Sequence, residues 1–358
     1  MKRRDFFKSF SSIALLGALP SIAKAKKIKP EYNWKMVTTW PKNFPGLGTG
    51  AQYLADTINK LSGGRIKITV YGAGELVPAF EIFDAVSNGV AELGHGSAYY
   101  WKGKNDTFQF FSTVPFGMTA NEMNSWLYKG GGMNLWQQAY ERFNLLPMAA
   151  GNTGIQMGGW FNKEINSLND LKGLKMRIPG LGGEVLKRAG GTPVNLPGGE
   201  LFTALKTGTI DATEWVSPYN DLAFGLHKAA KYYYYPGWHE PGTTLECFVN
   251  KERFQELPTD LKEIILGASK MANVDMLCEI ISKNNDALEI LKNKHNVDIR
   301  SYPEEVLNEL YEISKKVVKE LSSSSDFARE VYKSYTSFQE KTRNWNKISI
   351  KPYLNISK

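Results

Sequence analysis

The feature that most constrains the fold is a strand, a helix and a second strand near the beginning of the chain. Residues 34–40 alternate as a β-strand does, and a turn rich in proline and glycine spans residues 41–50. Residues 51–61 then place their apolar side chains on one helical face, and residues 66–70 alternate again. Because such a succession usually connects neighbouring parallel strands, it predicts an α/β fold built on a parallel sheet.

The length of the chain predicts two lobes. A domain usually has ~100–200 residues, so a chain of 358 residues is too long for one small core. A second series of short strands follows Asn152, and from Pro258 to about Leu291 the apolar residues recur with a helical period. More helices are predicted after Pro303 and from Phe327. We expect helices of this length to brace two lobes or to pair with another subunit.

The charge of the chain argues against a nucleic-acid partner. The formal net charge is +8, but residues 1–25 contain five basic residues and one acidic residue and account for half of it. The rest of the sequence has no run of lysine and arginine with interleaved aromatic residues. Such a run is typical of proteins that follow a phosphate backbone.

Residues 1–25 have the pattern of an export signal. The basic segment Met1–Arg4 precedes an apolar segment at Ile13–Leu19 and the small-residue cleavage pattern Ala23–Ala25. Arg3–Lys8 matches the twin-arginine export pattern, and an ordinary secretory signal is the alternative. Both signals predict a mature protein in the periplasm.

Arg177 is the first candidate binding residue. An apolar segment at Leu174–Ile178 places this arginine at a strand end, and Pro179 and Gly180 then end the strand. The planar guanidinium matches a carboxylate through two parallel hydrogen bonds. We therefore predict that Arg177 holds a small carboxylate, and an ordinary surface arginine is the alternative.

An aromatic cluster follows another predicted strand end. Residues 96–101 include Tyr99, Tyr100 and Trp101. Ligands of open α/β sheets collect at the carboxyl ends of strands, so the cluster is a candidate wall of a binding site. Packing beneath a loop is an equally good interpretation.

Three polar side chains suit a hard cation. Glu214 lies at the end of a predicted strand, Glu246 lies in another, and Gln156 offers an amide oxygen. Together with backbone carbonyls these groups would form the all-oxygen pocket that Ca²⁺ or Na⁺ prefers. The alternative is that each of them is an ordinary solvated or capping group.

The sequence lacks the common motifs of zinc, serine-hydrolase, haem and iron–sulfur enzymes. The four histidines lack the spacing of zinc ligands, and no G-x-S-x-G elbow occurs. Cys247 and Cys278, the only cysteines, form no haem or iron–sulfur motif, and they predict either one disulfide or two free thiols. We therefore predict a binding protein rather than an enzyme. A redox enzyme exported by the twin-arginine route is the alternative.

Five motifs taken together resemble one protein family. They are Trp40–Gly48, Tyr71–Val77, Gly94–Trp101, Leu168–Arg177 and Asp211–Trp215. With them the chain resembles the solute-binding proteins of tripartite ATP-independent periplasmic (TRAP) transporters, of the DctP type. It is most similar to the branch that binds 2-oxo or 2-hydroxy monocarboxylates with a metal ion. The likeness extends from about residue 34 to the C-terminal helices.

The resemblance implies an α/β, two-lobed periplasmic-binding-protein fold with a hinge and long C-terminal helices. The ligand would lie between the lobes. The implied division is a signal peptide (1–25), a first lobe (33–152 plus 217–256), a second lobe (153–216 plus 257–302) and a C-terminal helical segment (303–358). Some members of the branch form dimers that exchange a C-terminal helix, so this last segment is a possible dimerisation element.

The resemblance also implies roles for individual residues. The ligand carboxylate would pair with Arg177 and contact Asn152, Tyr100 and Gln156. A Ca²⁺ or Na⁺ ion would bridge protein and ligand, bound by Gln156, Glu214, the Trp215 carbonyl and Glu246 as a fourth ligand. The implied ligands are pyruvate, 2-oxobutyrate and lactate, with a dicarboxylate, a sugar acid or an ectoine-like zwitterion as alternatives. The implied partners are the small and large TRAP membrane subunits.

Overall fold

The computed structural model describes residues 29–357, which form two mixed β-sheets flanked by helices. The first sheet has the order β2-β1-β3-β10-β4, in which β1 is parallel to β2 and β3 while β10 is antiparallel to β3 and β4. Its strands are β1 (Tyr32–Thr38), β2 (Ile66–Tyr71), β3 (Leu93–Gly96), β4 (Leu145–Asn152) and β10 (Thr244–Asn250). The predicted parallel opening of the chain is confirmed.

The second sheet has the order β11-β9-β5-β8-β6-β7. Its strands are β5 (Gly159–Phe161), β6 (Lys175–Arg177), β7 (Thr192–Val194), β8 (Ala212–Thr213), β9 (Tyr232–Tyr235) and β11 (Asp298–Ser301). These strands are short, so each strand brings its last side chain and the following loop to the edge of the sheet.

Thirteen α-helices cover the two sheets in the described part of the chain. They are α1 (Leu47–Leu61), α2 (Ile82–Ser87), α3 (Phe108–Ser112), α4 (Ala120–Lys129), α5 (Gly132–Tyr140), α6 (Gly180–Arg188), α7 (Leu201–Lys206), α8 (Pro218–Phe224), α9 (Lys251–Gln255), α10 (Thr259–Glu289), α11 (Glu304–Leu321), α12 (Asp326–Ile348) and α13 (Ile350–Ile356). None of them combines the length and the apolar character needed to cross a membrane. The predicted signal peptide, residues 1–25, lies outside the described residues.

Two short segments carry the chain between the sheets and flank the candidate site. Residues 153–158 connect β4 to β5, and residues 236–243 connect β9 to β10. The four-tyrosine strand β9 belongs to the second sheet, where Tyr233 pairs with Trp160. The assignment of residues 217–256 to the first lobe is therefore wrong for this strand. The return to the first sheet therefore occurs at residues 236–243, in the middle of the assigned range.

Helix α10 braces both lobes, as the sequence analysis predicted. Leu261 and Ile265 in its first half are buried in the core of the first sheet. Met276 and Ile280 in its second half are buried in a core that includes Trp160 of the second sheet. The first half of α10 thus packs with the first lobe, although residues 257–302 were assigned to the second. The predicted two-lobed α/β architecture with long C-terminal helices is confirmed.

The two cysteines do not form a disulfide. Cys247 is buried in β10, and Cys278 is exposed on α10. Burial raises the pKa of the Cys247 thiol well above its usual value. Of the two possibilities that the sequence left open, the structure has the free thiols.

Candidate carboxylate and cation site

Arg177 is buried at the end of β6 and is not a surface arginine. Only 1% of it is exposed. Its Nη1 donates to the carboxylate of Glu214, its Nη2 donates to Tyr100 Oη at 3.1 Å, and its Nε donates to the carbonyl oxygen of Leu196 at 3.1 Å. Its guanidinium carbon also lies 5.2 Å from the centre of the Trp215 ring. Such a buried, oriented guanidinium is suited to bind an anion.

Tyr100 reaches Arg177 from the other lobe. It lies in the turn Ala98–Trp101 after β3 of the first sheet, whereas Arg177 ends a strand of the second sheet. Next to this contact, the Tyr99 ring lies 3.3 Å from the position that a Cβ of Gly180 would occupy, and Gly180 has φ +62°. Because glycine tolerates both the close approach and the positive φ, the lobes can meet closely beside Arg177.

Glu214 follows β8 and is fully buried. One carboxylate oxygen pairs with Arg177. The other oxygen, Oε2, has no hydrogen-bond partner among the described residues, although His239 Nε2 lies 3.5 Å away. An unsatisfied buried carboxylate oxygen is costly, so this atom is a candidate ligand for a cation.

Asn152 and Gln156 lie on the first connection between the sheets. Gln156 Nε2 donates to Glu240 Oε2 at 2.8 Å and to Thr153 Oγ1 at 3.1 Å. Its Oε1 is buried and has no hydrogen-bond partner in the described part of the chain. Asn152 ends β4, and its Oδ1 accepts from the Gly154 amide at 2.9 Å. Both side chains are thus held in place, and Gln156 Oε1 is a second oxygen available to a cation.

His239 and Glu240 lie on the second connection and were not among the site residues predicted from the sequence. Both are buried. One ligand atom each of His239, Glu240 and Glu214 lie within 4.8 Å of one another. A signal for them was present, because Pro236-Gly237 and Pro241-Gly242 bracket the pair and mark a tight turn between two strands. Titratable residues in such an interlobe turn are natural candidates for a site.

The electrostatics of this group favour an added positive charge. Burial and the nearby Glu214 carboxylate raise the pKa of Glu240 to about 7. Burial acts to lower the pKa of Arg177, but Glu214, Glu240 and the two tyrosines beside it together raise that pKa above its usual value. Two carboxylates therefore face one guanidinium, and an anionic ligand would add another negative charge. A cation next to the unsatisfied oxygens of Glu214 and Gln156 would neutralise that excess.

Aromatic rings enclose the other side of Arg177. The Trp40 ring lies 6.4 Å from the Tyr100 ring and 6.4 Å from the Trp215 ring. Trp40 is oriented by its Nε1, which donates to His95 Nδ1 at 2.8 Å. This wall suits the small apolar part of an organic acid.

The structure places Glu246 away from this group, in the core of the first lobe. Trp101 Nε1 donates to its Oε1 at 2.6 Å, and Tyr140 Oη donates to its Oε2 at 2.7 Å. Burial raises the pKa of this carboxyl to about 8. Because both oxygens are already bonded by neighbours in the core, Glu240 and not Glu246 is the second carboxylate next to Glu214.

Comparisons with known proteins identify the family of this chain. The model of the family described as bacterial extracellular solute-binding protein, family 7 (DctP), matches residues 36–325. A monocarboxylate 2-oxoacid-binding periplasmic protein of Nostoc sp. (strain PCC 7120) is 41% identical over 362 residues, covering 100% of this chain and 99% of that protein.

Two solved structures are also similar over most of their length. A TRAP periplasmic solute-binding protein of Pseudoalteromonas atlantica T6c, with bound sodium and pyruvate, is 43% identical with a TM-score of 0.89, covering 92% of this chain and 100% of that chain. A TRAP periplasmic solute-binding protein of Colwellia psychrerythraea, with bound calcium and pyruvate, is 44% identical with a TM-score of 0.88, covering 91% of this chain and 99% of that chain.

Proposed function

The chain belongs to the bacterial extracellular solute-binding proteins of family 7, and from this premise we propose that it captures a small 2-oxo or 2-hydroxy monocarboxylate together with a cation and delivers the acid to TRAP membrane subunits. The family is extracytoplasmic, which confirms the predicted location, and its members bind solutes rather than convert them. The observation that carries the proposal is the buried Arg177, held between the lobes beside two carboxylates.

Arg177 is the proposed anchor of the ligand carboxylate. Its planar donors match a carboxylate, and its burial strengthens each charge-assisted hydrogen bond by excluding water. Tyr100 and Asn152 are proposed to contact the same ligand, from the ends of two strands of the first lobe. A carboxylate bound here would contact both lobes.

The described residues fit a cation beside that carboxylate. Gln156 Oε1 and Glu214 Oε2 are buried oxygens without partners among the described residues, and Glu240 offers a third buried oxygen ligand. We propose these residues as ligands, with the Trp215 carbonyl retained from the family resemblance. When bound, the cation supplies positive charge to the carboxylate and 2-oxygen of the ligand. Pyruvate with sodium or calcium in the two related structures supports this assignment.

Closure follows from the distribution of these contacts. The second lobe provides Arg177 and Glu214, the first lobe provides Tyr100, and the connecting segments provide Gln156 and Glu240. Because only the closed arrangement makes all of these contacts at once, ligand binding shifts the population towards closure. We propose that the TRAP membrane subunits bind this closed form.

Titration calorimetry of chelator-treated, refolded protein tests the proposal. Pyruvate, 2-oxobutyrate and lactate are each titrated with and without Ca²⁺ or Na⁺. We expect binding of at least one of these acids, and only with a cation. A dicarboxylate, sugar acid or ectoine-like zwitterion that binds without a cation would replace the proposed ligand class. Visible absorbance from a bound flavin, haem or iron–sulfur cluster would instead favour the redox alternative.

We also propose that the C-terminal helices mediate dimerisation. Trp345, Ile348, Leu354 and Ile356 are each more than 60% exposed on α12 and α13. A group of large apolar side chains on the surface is typical of a protein contact. Sedimentation velocity should show a dimer that the double variant Trp345→Asp/Ile348→Asp converts to a monomer, and a monomeric wild type would refute this assignment.

A further inference from the structure

His239 is a member of the site whose role the carboxylate and the oxygen ligands leave unexplained. It is 1% exposed, and neither ring nitrogen has a hydrogen-bond partner in the described part of the chain. Burying a polar side chain without a partner is unfavourable. It belongs to one compact group with Glu214 and Glu240, in which the ligand atoms lie within 4.8 Å of one another.

The distance between His239 and Glu214 suits two ligands of one ion better than a hydrogen bond. His239 Nε2 lies 3.5 Å from Glu214 Oε2, beyond the ~2.7–3.2 Å of an ordinary N–H···O bond. Two ligands of one ion are about 3.4 Å apart when each bond is ~2.1 Å in a tetrahedral site. Adjacent ligands of an octahedral site with bonds of ~2.4 Å are also about 3.4 Å apart. The spacing therefore suits a shared ion.

We propose that His239 Nε2 is itself a ligand of the cation, so that the site accepts divalent transition ions such as Mn²⁺, Co²⁺ or Zn²⁺ as well as Ca²⁺ or Na⁺. This inference rests on the proposed function, because it concerns the same cation site. An imidazole nitrogen contributes little to binding a hard ion but favours first-row transition metals.

The charges around the site support a divalent ion. Arg177 contributes one positive charge, while a monocarboxylate ligand and the carboxylates of Glu214 and Glu240, which are ionised when they bind a cation, contribute three negative charges. The remaining net charge of −2 is balanced fully by a divalent ion but only by half by Na⁺. Both carboxylates and the imidazole are buried, so water screens the imbalance only weakly.

Co²⁺ is a spectroscopic probe for the test. Chelator-treated, refolded protein is titrated with Co²⁺ in the presence of pyruvate, and visible absorption and proton NMR are recorded. We expect one Co²⁺ per chain and a strongly shifted, exchangeable imidazole N–H proton. His239→Gln, which retains an oxygen ligand of similar reach, should lose that proton and bind Co²⁺ more than tenfold more weakly, while its Ca²⁺ affinity changes less than threefold.

A matched control removes a pair of adjacent histidines that lies outside the proposed site. His227 and His295 have ring centres 4.1 Å apart and could bind Co²⁺ on their own. The double variant His227→Gln/His295→Gln should retain the shifted proton and the wild-type Co²⁺ affinity. Because the proton signal is measured on folded wild type and on this control, the test does not depend on the stability of His239→Gln.

The outcomes distinguish this inference from the proposed function. Ca²⁺-dependent pyruvate binding without Co²⁺ binding, or a His239→Gln protein that keeps the shifted proton, would overturn the histidine ligand and leave the function standing. A histidine-bound Co²⁺ in a protein that binds none of the three acids with any cation would support the ligand and refute the function.

Discussion

Replacing Arg177 with alanine tests the central residue of the site. The guanidinium is expected to make two charge-assisted hydrogen bonds to the ligand carboxylate, each worth ~1.5–3 kcal/mol. Losing both costs about 3–6 kcal/mol, which corresponds to a Kd roughly 10²–10⁴-fold higher at about 1.4 kcal/mol per tenfold change. The measurement is calorimetry with pyruvate and Ca²⁺ on refolded protein.

The same substitution also affects stability, and the two effects have to be separated. Arg177 is the ion-pair partner of the fully buried Glu214, and removing one member of a buried pair costs about 3–5 kcal/mol. Arg177→Lys is the matched control, because it keeps the positive charge but loses the planar pair of donors. We expect Arg177→Lys to fold and to bind with an affinity between those of wild type and Arg177→Ala.

The reasoning would be refuted by one clear result. If Arg177→Ala has the circular dichroism spectrum of wild type and binds pyruvate within about threefold of it, the buried guanidinium does not hold the ligand. Its burial would then serve only to neutralise Glu214.

Three further predictions address the neighbouring residues. Tyr100→Phe removes the hydroxyl that accepts from Arg177 and is proposed to contact the ligand carboxylate. Because a hydrogen bond to a charged group contributes ~1.5–3 kcal/mol, pyruvate binding should weaken by about ten- to a hundredfold in calorimetry, and unchanged affinity would exclude the hydroxyl from the ligand contacts. Glu240→Gln removes a negative charge and should weaken Ca²⁺ binding at least tenfold in a Ca²⁺ titration, while Glu246→Gln should leave it unchanged, and the reverse result would restore Glu246 as the ligand. Glu246 keeps its proton up to about pH 8 in the folded wild type but loses it near pH 4.5 in the unfolded chain. Between these two pH values the folded state binds the extra proton, so the wild-type free energy of unfolding should fall as the pH rises, by on the order of 1 kcal/mol per pH unit. Urea unfolding of Glu246→Gln should show a shallower decline, and equal slopes for both proteins would refute the buried, protonated carboxyl.

The sequence predicted much of the fold because local patterns carry that information. The alternation in β1 and β2 and the helical period of α1 predicted their parallel pairing, and the long apolar repeat predicted the brace α10. The division of the chain was less accurate. Nothing local in the four tyrosines of β9 shows that they pair with β5 and β11 of the second sheet, because strand pairing depends on partners distant in sequence.

The candidate site shows the same limit. Residues at strand ends, such as Arg177 and Glu214, could be selected from the sequence because strand ends of an α/β sheet collect ligands. Glu246 was selected as a second carboxylate for an all-oxygen cation pocket, but its register in β10 turns both oxygens to Trp101 and Tyr140. His239 and Glu240 were missed because they lie in a turn without a strand pattern.

The sequence alone therefore determined the α/β class, the family resemblance and the choice of Arg177 as a candidate binding residue. Each of these depends on short motifs whose residues lie close together in the chain. Only the tertiary structure decided which groups meet. The contact of Arg177 with Tyr100 joins residues 77 positions apart, and the contact of Gln156 with Glu240 joins residues 84 positions apart. Both contacts depend on the two short connections between the sheets, at residues 153–158 and 236–243. The choice of Glu240 over Glu246 follows from these crossings, because they bring one carboxylate to Glu214 and leave the other in the core.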